Sequence, residues 1–180
     1  MTQTRPSSDT AAPDWGPESS RTVTWHDPLR SAEAGLAMPG IDYLRAMVDG
    51  AIPPPPIAQL MQMNFVEAEP GRVVFTCTPD ASAYNPIGAV HGGLVCTLLD
   101  SVAGCALHSM LPAGRGYTSI EIKINYLQPV RLESGRLTAT GTVVKVGSRV
   151  AFTDGVVTDA SGASVATATS TLLVFDLPTG

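Results

Sequence analysis

Residues 85–110 read Asn-Pro-Ile-Gly-Ala-Val-His-Gly-Gly-Leu-Val-Cys-Thr-Leu-Leu-Asp-Ser-Val-Ala-Gly-Cys-Ala-Leu-His-Ser-Met. The Asn, Pro and Gly at the start spell a loop. The apolar run after His91-Gly92-Gly93 is too uninterrupted for a surface helix and too long for a strand, so it reads as a helix wrapped on nearly all sides. A helix starting near His91 directs its first unpaired amide N–H groups at the preceding loop, and Gly92 and Gly93 let another group approach that backbone closely. Such an end holds developing negative charge. Asp100 is the one residue of the run certain to be charged at neutral pH. A carboxylate on an enclosed helix is expensive without a partner, so Asp100 needs an explanation: a functional acid beside a glycine-lined helix terminus, or a structural carboxylate satisfied by helix ends or a hydroxyl.

Working outward, the pattern changes from helical to alternating. Ahead of the central helix, Phe65–Glu69 and Arg72–Thr78 read as two strands joined by Glu69-Pro70-Gly71-Arg72, with Pro and Gly where a type II turn wants them. After it, Thr118–Leu127 places Ile120, Ile122 and Ile124 on one face and Glu121, Lys123 and Asn125 on the other. Arg136–Val146 and Val150–Thr158 flank Gly147-Ser148-Arg149, and Ser164–Phe175 follows a turn at Asp159–Gly162. Small residues such as Ala163, Ala166, Thr167, Ala168 and Thr169 leave room for a thick element against the last strands. The order of strand, strand, long helix and four strands implies an α+β layer, one antiparallel sheet curled around one helix.

The flanks are simpler. Residues 1 to about 40 are rich in Ser, Thr, Pro, Asp and Glu without clear periodicity, and read as a mobile or surface-lying arm pinned by Trp15 and Trp25. A partner-binding arm is the alternative. Residues 41–62 form a lead-in: a short helix from Ile41 ended by Gly50, a stiff Pro53–Pro56 spacer, and a helical turn from Ile57 to Gln62. The domain proper is expected over 63–176.

The chain of 180 residues is 44% hydrophobic and 15% charged, with a net charge of −5. That balance suits one globular domain and argues against nucleic acid, which requires a basic stripe. The N-terminus carries no apolar signal core, and Asp100 and several glycines interrupt the one long apolar run, so a cytoplasmic protein without a membrane segment is expected. Cys77, Cys96 and Cys105 have no Cys-x-x-Cys spacing, and His26, His91 and His108 do not cluster, so neither a disulfide framework nor a metal is expected. Cys96 and Cys105 read as small core residues, and His108 as a structural residue favoured by the C-terminal helix dipole.

Gly92 and Asp100 stand eight residues apart, roughly 12 Å along one helix axis. They cannot act on the same carbonyl within one chain. If both serve one reaction, Asp100 comes from a second copy whose helix runs antiparallel, and a two-fold dimer then holds two equivalent composite sites. One carboxylate plus helix-terminus amides, without a Ser-His-Asp arrangement, suits a thioester better than an amide, because a thiolate leaves without strong acid assistance.

Asn85-x5-His91-Gly92-Gly93-x6-Asp100, with Tyr84 before it and the Thr118–Tyr126 strand after it, resembles the hotdog-fold acyl-CoA thioesterases, closest to the phenylacetate-degradation (PaaI-like) and type II 4-hydroxybenzoyl-CoA group. The resemblance covers about residues 57–175. It implies a homodimer, or a tetramer of two dimers, that hydrolyses an aryl, short-chain or medium-chain acyl-CoA to free acid and CoA, with no cofactor beyond the CoA of the substrate. It assigns the backbone N–H of Gly92 as oxyanion donor and Asn85 as an orienter of substrate or water. His91 holds the loop near the sulfur, and Asp100 of the partner subunit is nucleophile or general base. Ser119, or Thr118 if the register shifts by one, holds the attacking water. Gly93, Arg149, Lys145 and Arg131 are candidates for contacting CoA, and Tyr117, Met110 and the 41–62 segment for the acyl pocket. Where some relatives carry Thr or Ser one helical turn after the acid, this chain has Gly104. Each residue also has a plain structural reading: His91 as a helix cap, Asn85 as a turn residue, the arginines as solvated charges. A non-catalytic acyl-CoA-binding module is the main rival reading, and an acyl-thioester hydratase of the same fold the other.

Overall fold

The computed structural model describes residues 14–177. Its elements are α1 (Pro28–Leu36), α2 (Gly40–Val48), α3 (Pro56–Leu60), β1 (Met63–Glu69), β2 (Arg72–Cys77), α4 (Gly92–His108), β3 (Arg115–Tyr126), β4 (Leu137–Val146), β5 (Val150–Thr158) and β6 (Ser164–Asp176), with short 3-10 turns at Ala81–Ala83 and Leu132–Ser134. The six strands form one sheet in the order β1-β2-β4-β5-β6-β3, antiparallel throughout. It wraps around α4, the hotdog arrangement. Gly71 takes a positive φ of 77° in the β1–β2 turn, the conformation that a type II turn requires.

Side chains have been removed from the middle of the sheet so that the helix can lie on it. Gly141, Gly155 and Ala168 face one another across β4, β5 and β6. A Cβ at Gly141 would come within 2.2 Å of the Val102 carbonyl oxygen, and one at Gly155 within 2.9 Å of Leu99. Around that contact Leu98, Leu99, Val102 and Leu107 are fully buried, each contributing roughly 1.5–3 kcal/mol of burial.

Strand β3 departs from clean alternation. Its pairing with β6 skips between Ser119 and Glu121, and Ile120, expected on the inner face, is 56% exposed. The extra residue inverts parity, so Ser119 faces α4 on one side of the bulge while Ile122 and Ile124 pack on the core on the other. Regular alternation would turn Glu121, Lys123 and Asn125 inward whenever Ser119 faces the helix. The buried Ser170 hydroxyl donates to the Glu121 carbonyl at 2.8 Å and holds the bulge.

Two expectations about the flanks are corrected. Trp15 is 87% exposed and does not pin the arm, while Trp25, 61% exposed, only borders a shallow hollow with Gly50, Pro53, Pro54 and Gln59. The segment is held instead by Arg21, which donates to the Leu60 carbonyl and pairs with Asp80. It also contains α1, capped by the Asp27 side chain, which the polar composition concealed. The part of the arm at residues 1–13 lies outside the described residues. No helix among the described residues is long and apolar enough to cross a membrane.

Candidate active site

The loop before α4 is built by Asn85. Its Oδ1 accepts from the N–H groups of Ile87 and Ala89, while its backbone N–H donates to the Ala89 carbonyl. Asn85 is therefore a turn organiser in this chain. Tyr84 ties the same loop across the fold, its hydroxyl accepting from the Leu132 N–H. His91 is the N-cap: its Nδ1 accepts from the Gly93 N–H at 2.8 Å, and its carbonyl accepts from Leu94. The Gly93 N–H is thereby satisfied. The Gly92 N–H, at the first helical position, has no acceptor among the described residues. The Tyr126 hydroxyl donates to the Gly92 carbonyl at 3.0 Å and fixes that peptide from the β3 side.

Two turns further along, the Ser119 hydroxyl donates to Asp100 Oδ1 at 2.8 Å. Asp100 is exposed, contrary to the expectation of an enclosed helix, because the α4 face bearing it is left uncovered by the chain's own sheet. Thr118 is exposed and adjacent to Ser119, so strand alternation turns it to the opposite face. The Gly104 departure also has a cause: a Cβ there would lie 2.6 Å from the Tyr117 ring and 2.8 Å from its hydroxyl. Tyr117 occupies the space that a side chain at position 104 would need.

Asp100 and Ser119 stand at a cleft of about 460 Å³ between α4 and the lead-in segment. Its walls include Leu44, Met47, Ile57 and Phe65, and at the far end Tyr43, His108 and Tyr117. Met110, expected at the acyl pocket, is not among the cleft residues; it lines a separate small hollow with Arg115 and Val146. Burial pushes the Cys105 thiol up to about 12 and the Cys77 thiol to about 11, which removes both as nucleophiles at neutral pH. Burial also holds His108 below its ordinary value, so it stands as a neutral imidazole and not as a cation on the helix dipole.

Residues 87–166 match the thioesterase superfamily. The smu.793 protein of Streptococcus mutans, solved bound to acetyl CoA, is 30% identical, with 65% of this chain and 91% of that one aligned at a TM-score of 0.59. A hypothetical thioesterase of Streptococcus pneumoniae is likewise 30% identical, with 63% of this chain and 90% of that one aligned at a TM-score of 0.58. The chain belongs to the thioesterase superfamily. Acyl-coenzyme A thioesterase 13 of Homo sapiens is 33% identical over 94 residues, 52% of this chain and 66% of that protein. Among the curated relatives the match spans 50 to 66% of their own length. The PaaI protein of E. coli, from the phenylacetic acid degradation operon, shares the fold with a TM-score of 0.66 at 21% identity, covering 79% of this chain and 99% of that one.

Within this thioesterase-superfamily chain, the residues singled out in the sequence fall into two groups at different levels of α4. Asn85, His91, Gly92 and Gly93 surround its N-terminus, and Asp100 and Ser119 meet at its centre. The basic candidates divide likewise. Arg131 follows Val130, whose carbonyl accepts from Val90 just before α4. Lys145 and Arg149 belong to the β4–β5 hairpin, whose Val146–Ser148 tip lies beside Leu111 past the helix C-terminus. Tyr126, which clamps Gly92, escaped the sequence reading; its place at the end of an alternating strand was the available signal.

Proposed function

We propose that this protein hydrolyses an acyl-CoA thioester to a free acid and CoA in a two-fold dimer, with Asp100 of one subunit and Gly92 of the other at each site. The observation that carries it is the pairing of levels along β3. Asp100 is tied to Ser119, and Gly92 to Tyr126. β3 is an edge strand of the sheet, with Ile120, Tyr126 and Leu127 more than half exposed on or beside it. Such an edge is a template for another strand. A two-fold axis crossing β3 midway between the two levels, near Lys123, pairs the edges antiparallel and brings Asp100 to Gly92 of the partner subunit.

The chemistry follows from the groups that remain free. Ser119 donates to one Asp100 oxygen, leaving the other to take a proton from water, while the serine lone pairs accept a hydrogen bond from the same water. The water oxygen bonds to the thioester carbon. The oxyanion that forms accepts from the free Gly92 N–H at the positive end of α4. Collapse of the tetrahedral species breaks the C–S bond, and the departing thiolate takes the proton that Asp100 removed from water, which restores the carboxylate. The antiparallel arrangement also brings Arg131 to the same end as the partner's Arg149 and the partner's Lys145, giving cations for the CoA phosphates. The acetyl CoA held by the Streptococcus mutans relative supports CoA as the carrier.

Thiol release from a panel of phenylacetyl-, hydroxybenzoyl-, short-chain and medium-chain acyl-CoA tests the activity. Wild type turns over at least one member, and Asp100→Asn lowers kcat by about 10²–10⁴ with the folded oligomer retained. Tight acyl-CoA binding without turnover on any member would instead establish the binding module.

A further inference from the structure

The cleft extends past the carboxylate and ends in polar groups that the reaction above does not use. Tyr43 and His108 have ring centroids 5.7 Å apart, and His108 and Tyr117 meet edge-on at 5.6 Å. His108 is locked in place: its Cδ2 edge and carbonyl lie so close to Gly40 that a Cβ there would come within 2.2 Å of the ring and 1.9 Å of the carbonyl oxygen. Neither the His108 ring nitrogens nor the Tyr43 hydroxyl has a hydrogen-bonding partner among the described residues, and both residues line the cleft. Groups of this kind, facing a cleft without a protein partner, are free to bond water or a polar group of a ligand that displaces it.

We infer that Tyr43 and His108, with Tyr117 beside them, form a recognition site for an uncharged oxygen, a hydroxyl or a keto group, carried by the acyl chain far from its thioester. The inference rests on the acyl-CoA reading above and deepens it. Three properties define the ligand. Asp100 and His108 are eight residues apart on α4, roughly 12 Å along the axis, a distance that an acetyl or benzoyl group does not span and a medium-length chain does. The walls between them are apolar, Leu44, Met47, Ile57 and Phe65 among them, which fits methylenes. At the far end, burial lowers His108 and raises Tyr43 and Tyr117, so all three are neutral at physiological pH. A terminal carboxylate would arrive without a cation to meet it, whereas a hydroxyl can both donate to an imidazole nitrogen and accept from a phenol.

The test compares decanoyl-CoA, ω-hydroxydecanoyl-CoA and the CoA monothioester of decanedioic acid on wild type, Tyr43→Phe and His108→Phe, the last keeping a ring between the two tyrosines. Wild type favours the hydroxylated chain over the plain one by about tenfold or more in kcat/KM and disfavours the carboxylated one. In both variants the ratio of kcat/KM for the hydroxylated over the plain chain falls to near one, whatever the level of decanoyl-CoA turnover. Calorimetric titration with free ω-hydroxydecanoate and decanoate follows the same preference without any chemistry. Hydrolysis of all three chains with no His108-dependent preference overturns the recognition site and leaves the thioesterase reading standing. Preferential binding that depends on His108, without hydrolysis, does the reverse. Neither preference nor hydrolysis overturns both.

Discussion

At the residue scale, a small backbone irregularity brings Ser119 and Asp100 of the candidate site together. Only because β3 bulges between Ser119 and Glu121 can a serine reach the carboxylate while Ile122 and Ile124 still pack on the core. Ser119→Ala removes one hydrogen bond to a charged acceptor, about 1.5–3 kcal/mol, and is expected to lower kcat roughly ten- to hundredfold with KM little changed. Steady-state thiol release measures this, and Thr118→Ala, on the opposite face, is the control without effect. Asp100 was legible in the sequence because a lone acid interrupts an apolar run. Its exposure was not, because composition shows that a helix has no polar face without showing whether its own chain covers every side. Tyr126 and the bulge were hidden for a related reason: both depend on register, which alternation alone does not fix.

At the scale of elements, α4 and the sheet are fitted by deletion of side chains. Gly141→Ala forces a methyl against the Val102 backbone carbonyl, which has no flexible end to move aside. Overpacking of this kind costs roughly 1–3 kcal/mol, seen as a lower urea midpoint with an unchanged slope. Alanine at Gly114, which has open space around it but a positive φ of 78°, isolates the backbone contribution for comparison. The strands and the long helix were readable because their periods of alternation and apolar length are strong local signals. The short α1 was not, since its nine residues are mostly polar or small and only Ser31 is buried. The two tryptophans were misleading for a physical reason: large aromatics are usually buried, and an exposed pair defies the composition-based expectation.

At the scale of the whole molecule, stability and assembly each carry a consequence. His108 is held below its ordinary value of 6.5 by burial, so the folded protein resists the proton that the unfolded chain accepts. Its contribution is fully present above 6.5. It is lost as pH falls below 6.5 toward the lowered folded value, with a slope of at most about 1.36 kcal/mol per pH unit. Urea unfolding followed over that window should show the decline, and His108→Phe should flatten it. Assembly is the larger claim, because the two halves of the proposed site stand about 12 Å apart on one helix and only a second chain can join them.

Mixed-dimer complementation tests that claim most directly. Gly92→Pro deletes the N–H of the first helical position, where the extended backbone of His91 suits a following proline; its Cβ would stand 3.1 Å from the Tyr126 ring, which must yield slightly, so retention of the folded dimer is checked first. Each homodimer, Gly92→Pro or Asp100→Asn, should be nearly inactive. A heterodimer of the two has one site with both defects and one with neither, so thiol release is expected at about half the wild-type rate per heterodimer. Heterodimers as inactive as their parents would place Gly92 and Asp100 of one chain at each site and contradict the claim.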